Sequence, residues 1–184
     1  TPLADCVVWF SESHRFASTS GIGRLAADIN GGRGNEACDW LAGAADPSVS
    51  WLSDASADLT PATRQAIVDG YHRYCTALVA ALADPASRRR QVFAAFDGFR
   101  VLCALRETAR GVRAINALVT RHLLQLGAGL PPGGPRSPWY VGRPVMVLRN
   151  DYVLKLFNGD VGICLPDDGG ELMVWFPEQD AGFR

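Results

Sequence analysis

Apolar residues along this chain fall into two kinds of pattern. Two nearly continuous apolar runs, "CVVWF" (6–10) and "FRVLCAL" (99–105), are rich in β-branched and aromatic side chains, and "VSWLS" (49–53) is a shorter and weaker run. Runs of this kind are typical of parallel strands that helices cover on both faces. The pattern therefore predicts that all three segments are buried strands.

Between and after these runs, apolar residues recur at helical spacing. Segment 21–30 repeats them at i, i+3, i+4 and i+7 behind Ser20, a residue type that caps helices. A longer helix is predicted over residues 61–83, because Thr60 can cap it and proline suits its first position. Two further helices are predicted over residues 86–96 and 111–126.

The composition changes after residue 126. Segment 127–138, "GAGLPPGGPRSP", is dense in Gly and Pro, which disfavour both helix and central strand. Three β-like runs follow, at 143–149, 159–165 and 171–176. Asn158 and Gly159 stand between the first two runs, and Asn-Gly is a strong hairpin signal. The sequence therefore predicts a small antiparallel β-unit in this region.

The order of these elements predicts an α/β fold. Alternating strands and helices favour a parallel sheet between helical layers, here over residues 1–140, with the β-unit over residues 141–184. Apolar residues make up 48% of the chain and charged residues 20%, as in ordinary soluble globular proteins. No apolar run approaches the roughly 20 residues that a membrane helix requires, so no membrane association is expected.

The cysteines and the net charge indicate which kinds of site and which cellular location to expect. The five cysteines are widely spaced and never form a CxxC pair, so neither a disulfide framework nor a metal site is expected. The first ten residues lack a signal-peptide pattern, and a reducing cytoplasm is the expected location. A net charge of −1 excludes a uniformly basic protein but is compatible with a locally basic groove.

Two common types of active site are missing from the sequence. The phosphate-binding pattern GxxxxGK[ST] is absent, and "GIGRLA" matches neither it nor GxGxxG. No GxSxG motif is present, and the three histidines are not spaced as zinc ligands or as parts of a hydrolytic triad. A nucleotide bound by this chain would need its main contacts elsewhere.

Arginines follow two of the predicted strands. Arg15 lies in "SESHRF" (11–16), which directly follows the run at 6–10, at the edge of an α/β sheet where ligands bind. Its position is compatible with a phosphate contact, but position alone favours a solvated or structurally paired side chain. Arg106 and Arg110 follow the run at 99–105, where their charge suits a nucleic-acid backbone.

Three longer motifs resemble a known family. "WFSESHRF", "FRVLCALRETARGVRAIN" and "GRPVMVLRNDYVLKLFNGDVGICL" occur in an order that resembles the RecD family, the alpha chains of the helicase–nuclease exodeoxyribonuclease V, or RecBCD. The family belongs to the superfamily 1 helicases that move 5′ to 3′ on single-stranded DNA. The resemblance covers residues 7–30 and 98–165 well, and residues 33–97 only in general pattern.

The resemblance implies a fold and an ATP contact. Residues 1–140 would belong to the second of two RecA-like motor domains, and residues 141–184 would begin an SH3-like insertion. Arg15 would contact the γ-phosphate of ATP, which residues outside this chain would mainly hold together with Mg²⁺. His14 departs from the family, which commonly has Tyr at the matching position.

The resemblance also assigns roles to a cluster of polar residues between the first two β-like runs: Arg149, Asn150, Asp151, Tyr152 and Lys155. It places the cluster beside the DNA path, where Arg149 and Lys155 would lie near phosphates and Tyr152 would stack on a base. Asn150 would contact DNA or, alternatively, hold a local turn through its side chain. Asn158 and Gly159 are expected to form a turn.

The expected function follows from the resemblance. The chain would be a fragment of an ATP-dependent 5′-to-3′ DNA helicase subunit in double-strand-break repair, with single-stranded DNA and RecB- and RecC-like subunits as partners. The fragment alone would not hydrolyse ATP. The alternative is a non-enzymatic α/β module that binds nucleic acid or protein. A GxxxxGK[ST] motif in the preceding reading frame would favour the helicase.

Overall fold

The computed structural model describes residues 16–43, 46–126, 137–177 and 182–183. Its contacts divide the chain into two compact units, Thr1–Asp54 and Ala55–Arg184, which are described separately below. The predicted domain boundary at residue 140 lies inside the second unit.

The first unit contains two described helices, α1 (Gly21–Asn30) and α2 (Gly34–Ala42). The helix predicted over residues 21–30 is confirmed with its cap, since the Ser20 side chain accepts a hydrogen bond from the Gly23 amide at 3.1 Å. The sequence patterns did not predict α2. A cation–π contact, with the Arg24 guanidinium 5.0 Å from the Trp40 ring, joins the two helices.

The second unit contains four described helices: α3 (Pro61–Gly70), α4 (His72–Ala83), α5 (Pro85–Asp97) and α6 (Val112–Gln125). The single helix predicted over residues 61–83 is therefore wrong, because the chain breaks at Tyr71. At Gly70, the residue before the break, the Phe99 ring packs where a Cβ would stand, 2.3 Å from the nearest ring atom.

A small antiparallel sheet completes the second unit and confirms the predicted β-unit. Its strands are β1 (Pro144–Met146), β2 (Val161–Pro166) and β3 (Leu172–Trp175), in the order β1-β2-β3. Ile163 at the centre of β2 pairs with Pro144 on one side and Trp175 on the other.

The main core of the second unit lies between α4, α5 and the sheet. Its fully buried side chains come from all three: Tyr74, Cys75, Leu78, Val92, Ile163, Cys164 and Leu165. The Tyr74 hydroxyl donates a 2.7 Å hydrogen bond to the carbonyl of Gly142, 68 residues along the chain. This bond attaches α4 to the segment that enters β1.

The predicted strands at 49–53 and 99–105 are not strands in the structure, and the one at 6–10 lies outside the described residues. Along 99–105, half-buried and exposed positions alternate, as in an extended chain. Val101 and Cys103 pack on a second cluster formed by Leu59, Ile67 and Ile115. A strand requires hydrogen bonds to a neighbour, and no described strand pairs with this segment.

Segment 49–53 lacks even one buried face, since Trp51 is 50% exposed and Leu52 56% exposed. The described residues therefore form a mixed α/β structure whose sheet is antiparallel, and the predicted parallel sheet is not among them. None of the described helices combines the length and apolar character needed to cross a bilayer.

Candidate nucleic-acid interface

The loop 105–112 brings arginines to the N-terminus of α6. The Val112 amide donates to the Leu105 carbonyl at 3.1 Å, and the Arg113 amide donates to the Arg106 carbonyl at 3.2 Å. Gly111 allows this closure, because a Cβ there would stand 2.6 Å from the Arg106 carbonyl oxygen. Backbone contacts thus hold both ends of a short loop at a helix terminus that carries no acidic residue in its first turn.

The two arginines of this loop and Arg113 in the first turn of α6 differ in the contacts that their side chains make. Arg110 donates to the Ser56 carbonyl at 2.6 Å, so it ties the loop to the chain before α3. Arg113 forms an exposed ion pair with Glu107 at 3.0 Å. Arg106 is exposed and has no hydrogen bond or ion pair with the described residues. Of the two predicted contacts in the loop, Arg106 is therefore the one whose guanidinium is available to a phosphate.

A second group of predicted residues lies on the connection between β1 and β2, which we call the tip (residues 149–160). Asp151 and Leu156 exchange two backbone hydrogen bonds, at 2.7 and 3.0 Å. The Asp151 carboxylate also accepts from the amides of Val153 and Leu154, at 3.0 and 2.9 Å. Lys155 takes a positive φ of 54° to close this turn. The tip is thus built around a carboxylate that accepts hydrogen bonds from two backbone amides.

Asn150 and the Asn-Gly pair hold the other half of the tip. The Asn150 side-chain oxygen accepts from the Asn158 amide at 2.8 Å, a contact across eight residues. Gly159 follows with a φ of +97°, which favours glycine, and its amide donates to the Val147 carbonyl at 2.9 Å. The structure therefore gives Asn150 a turn-holding contact and places Asn158 and Gly159 in the turn.

The outer face of the tip is apolar, aromatic and positively charged. Tyr152 is 76% exposed and meets Phe157 edge-on, with the ring centroids 6.2 Å apart. Arg149 and Lys155 are exposed and make no hydrogen bond or ion pair with the described residues. An exposed aromatic ring can stack on a base while exposed cations on the same connection bind phosphates.

The predicted site residues form two separate groups in the structure. In the loop, Arg110 contacts Ser56 and Glu107 contacts Arg113, while in the tip Asn150 contacts Tyr152 and Asn158. Arg15 and His14 lie outside the described residues.

The structure also brings together three arginines that the sequence patterns did not single out. Arg100, Arg121 and Arg143 line a groove of about 810 Å³ together with Tyr71, Tyr140 and the exposed side of α6. The three positions are far apart in sequence and belong to different elements. Only the packing of α6 against the segment before β1 reveals the groove, which we call the arginine groove.

Each arginine of the arginine groove has a distinct setting. Arg100 bonds Asp97 at 2.8 Å and lies over Phe96, with the guanidinium carbon 3.6 Å from the ring centroid. Arg143 donates to the Pro138 carbonyl and lies 5.3 Å from the Trp139 ring centroid. Arg121 is exposed and makes no hydrogen bond or ion pair with the described residues.

Burial keeps Tyr71 and Tyr74 of this groove neutral. It raises the pKa of Tyr71 above 10.0, and the positive charge of Arg100 opposes the shift only in part. Burial likewise raises the pKa of Tyr74, whose hydroxyl donates to the Gly142 carbonyl. The arginines therefore face no anionic tyrosine at neutral pH.

The described residues offer no nucleotide or metal site of their own. Among them, no group of three or more His, Cys, Asp or Glu side chains is arranged to hold a metal ion. They also lack a glycine-rich phosphate loop of the GxxxxGK[ST] type. ATP and Mg²⁺ thus do not fit the described residues alone, and no chemical step is assigned to them.

Comparison with known proteins connects the chain to one family. No protein-family model matches the chain. The RecBCD enzyme subunit RecD of Mycolicibacterium smegmatis is 36% identical over 159 residues, which cover 86% of this chain and 26% of that protein. RecD of Haemophilus influenzae is 28% identical over 193 residues, covering 97% of the chain and 29% of that protein.

RecD of Mycobacterium tuberculosis is 34% identical over 158 residues, covering 86% of the chain and 25% of that protein. The matches cover most of this chain, but the chain spans only about a quarter of the length of these curated relatives. On this similarity the chain belongs, as a segment, to the RecD family of RecBCD enzyme subunits.

Proposed function

We propose that this chain is part of an ATP-dependent DNA helicase subunit that works in a RecBCD-type helicase–nuclease during double-strand-break repair. The subunit moves 5′ to 3′ on single-stranded DNA. The similarity to RecD subunits over 86% or more of the chain carries this proposal. RecB- and RecC-like subunits are its proposed partners, and the cytoplasm is its proposed location.

The proposed fold of the parent region is a RecA-like motor domain with an SH3-like insertion. Segment 99–105 supports it, because the segment is extended and packs one face on Ile67 and Ile115. Its other face leaves Leu102 94% exposed. In the parent protein this face and the unpaired backbone would join a parallel sheet.

Arg15 is the proposed phosphate contact of the motor. In the completed ATP site its guanidinium would stabilise the negative charge that develops on the γ-phosphate as water attacks. Residues outside this chain would hold most of the nucleotide and its Mg²⁺. The support for Arg15 is its place in the motif "SHRF", directly after an apolar run.

The loop and the tip are the proposed contacts with single-stranded DNA. Arg106, Arg149 and Lys155 have uncommitted charges, and Tyr152 offers an exposed ring. Arg110 would act mainly by holding the loop through Ser56. Asn150 would act through the turn that it holds.

The test is the Arg15→Ala variant of the full-length subunit, with Arg90→Ala on the exposed side of α5 as the matched control. We expect ATP hydrolysis to fall by about 10³-fold or more in Arg15→Ala, as for other arginines that contact the transferred phosphate. DNA binding and melting temperature should match those of the control. Normal turnover by Arg15→Ala would refute its proposed role.

A second function is favoured by the apolar part of the tip. Val153 and Leu154 in the tip are 91% and 43% exposed, and Leu148 just before it is 75% exposed, a concentration of apolar surface typical of protein contacts. In this alternative the chain is a binding module without catalytic activity. A full-length protein that lacks a GxxxxGK[ST] motif and DNA-stimulated ATPase activity would support the alternative over the helicase.

A further inference from the structure

We propose that the arginine groove binds a short stretch of single-stranded nucleic acid, as a contact site separate from the loop and the tip. The inference rests on the proposed function, since it assigns a further surface to the same DNA strand. Its volume of about 810 Å³ lies within the roughly 300–1,000 Å³ of small-ligand pockets, so it suits a few nucleotides of a strand.

Charge is the first argument for a nucleic-acid occupant. Arg100, Arg121 and Arg143 line the groove, and no Asp or Glu of the described residues does. The ion pair with Asp97 offsets the charge of Arg100, whereas Arg121 has no such partner. The groove therefore presents uncompensated positive charge to a ligand and favours a polyanion.

The second argument is the combination of arginine with aromatic rings. Tyr71 and Tyr140 line the groove with the arginines, and the guanidinium of Arg143 lies 6.0 Å from the Tyr140 ring centroid. Proteins that bind single strands without sequence preference combine a positive groove with aromatic rings that contact bases. An acidic peptide would satisfy the arginines but would make no use of stacking surfaces.

The third argument is that the walls of the groove are held in place. The Tyr140 hydroxyl bonds the Thr120 hydroxyl of α6 at 2.8 Å. Two residues later, the Gly142 amide donates to the Cys164 carbonyl of β2 at 2.7 Å, and the Gly142 carbonyl accepts from Tyr74. Segment 140–142 is thus attached to α6, β2 and α4. A preformed groove binds with a smaller entropic cost than one that must order first.

The experiment measures binding of a fluorescently labelled oligo(dT) by the full-length subunit over a range of salt concentrations. The variant is Arg121→Gln, the rescue variant is Arg121→Lys, and the matched control is Arg90→Gln on exposed α5. Losing one phosphate contact with a single strand should lower the salt slope by about 0.7 and weaken binding about 5-fold at 0.1 M salt. Arg121→Lys should recover most of the affinity, and Arg90→Gln should bind as wild type does.

A second measurement does not depend on substitutions. Oligo(dT) carrying 5-iodouracil is photocross-linked to the wild-type subunit, and the linked peptides are identified by mass spectrometry. Cross-links to Tyr140 or to the 116–124 side of α6 would support the groove. Cross-links confined to the loop and the tip would overturn it, as would equal affinity and salt slope for Arg121→Gln and Arg90→Gln.

These outcomes separate the inference from the proposed function. DNA-stimulated ATPase activity in a protein whose Arg121→Gln variant binds DNA normally would refute the groove and leave the helicase standing. A wild-type subunit that binds oligo(dT) through the groove but never hydrolyses ATP would refute the helicase and leave the groove standing. Release of a protein partner by Arg121→Gln, with DNA binding unchanged, would also count against the inference.

Discussion

Strand β2 and segment 99–105 have similar sequences and opposite surroundings. Both are short apolar runs with a cysteine at the centre, "VGICLP" and "FRVLCAL". In β2, Ile163, Cys164 and Leu165 are 0%, 0% and 1% exposed, whereas Leu102 in the other run is 94% exposed. The difference lies in the neighbours: β2 has a strand on each side and helix α5 packed against it.

An apolar run indicates that a segment is stable when it is buried, but other parts of the protein must supply the residues that cover it. Within this chain, β1 and β3 flank β2 and help to bury it. Segment 99–105 has only one face covered, by the cluster around Ile67 and Ile115. Since the chain spans about a quarter of its curated relatives, the proposed covering of the exposed face belongs to the parent protein.

The largest expected effect comes from truncating one leucine in each run. Leu165→Ala should lower the free energy of unfolding by about 2–5 kcal/mol, because it opens a cavity in a closed core. Leu102→Ala should change it by less than about 0.5 kcal/mol in the 184-residue chain, where the side chain is exposed. Urea denaturation measures both values.

The same two variants in the full-length protein test whether a parallel sheet covers Leu102 there. If a parallel sheet covers Leu102 there, Leu102→Ala should cost about 2 kcal/mol or more. A cost that stays near zero in the full-length protein would contradict the proposed sheet. Leu165→Ala serves as the reference, since its burial is complete within this chain.

A second test compares two glycines on either side of β1. Gly142 has a φ of +84°, and a Cβ there would stand 2.5 Å from Leu78 Cδ1; Gly159 has a φ of +97° and open space around it. Gly142→Ala should cost about 2–3 kcal/mol through strain and overpacking, and Gly159→Ala about 1 kcal/mol through strain alone. Equal losses in thermal or urea unfolding would show that Gly142 is not packed against α4.

A third test compares two tyrosine hydroxyls. Tyr74→Phe leaves the Gly142 carbonyl without its buried donor and should cost about 1–2 kcal/mol. Tyr152 is exposed and only accepts a 3.3 Å hydrogen bond from Asn150, so Tyr152→Phe should stay within about 0.5 kcal/mol. A large loss for Tyr152→Phe would mean that the tip supports the core.

Local signals in the sequence predicted the parts of the fold that depend on neighbouring residues. Ser20 and Thr60 cap helices as their residue types suggested, and the apolar runs after residue 143 pair as an antiparallel sheet. The break at Tyr71 has no signal in the apolar pattern, because the helical spacing of apolar residues continues across it. The strand predicted at 99–105 is absent because a strand needs hydrogen-bonded neighbours, and no described strand pairs with this segment.

The candidate site likewise has parts with a local sequence signal and parts without one. The turn at Asn158 and Gly159 follows from a two-residue signal, and the hydrogen bond from the Asn158 amide to Asn150 was one of two open interpretations. The arginine groove had no sequence signal, because Arg121 and Arg143 meet only through the packing of α6 against the segment before β1. Sequence patterns therefore indicate turns better than they indicate grooves between elements.

The smallest expected effect concerns Cys164, the central cysteine of β2. Burial raises the pKa of the Cys164 thiol from 9.0 to about 11, with the charge of Arg143 opposing the shift. Because the folded-state pKa lies above the unfolded value, the folded protein holds the thiol proton more tightly. This stabilisation is fully present below the unfolded pKa and is lost as the pH rises through the folded one.

The free energy of unfolding should therefore fall by about 1 kcal/mol from Cys164 between about pH 8 and pH 10. Cys164→Ala should be less stable than the wild type at neutral pH and should lose less stability on the alkaline side. Burial also raises the pKa values of Tyr74 and Cys75, which add to the alkaline loss in every variant. The difference between the Cys164→Ala and wild-type curves from urea denaturation isolates the one thiol, and parallel curves would contradict the burial of Cys164 in β2.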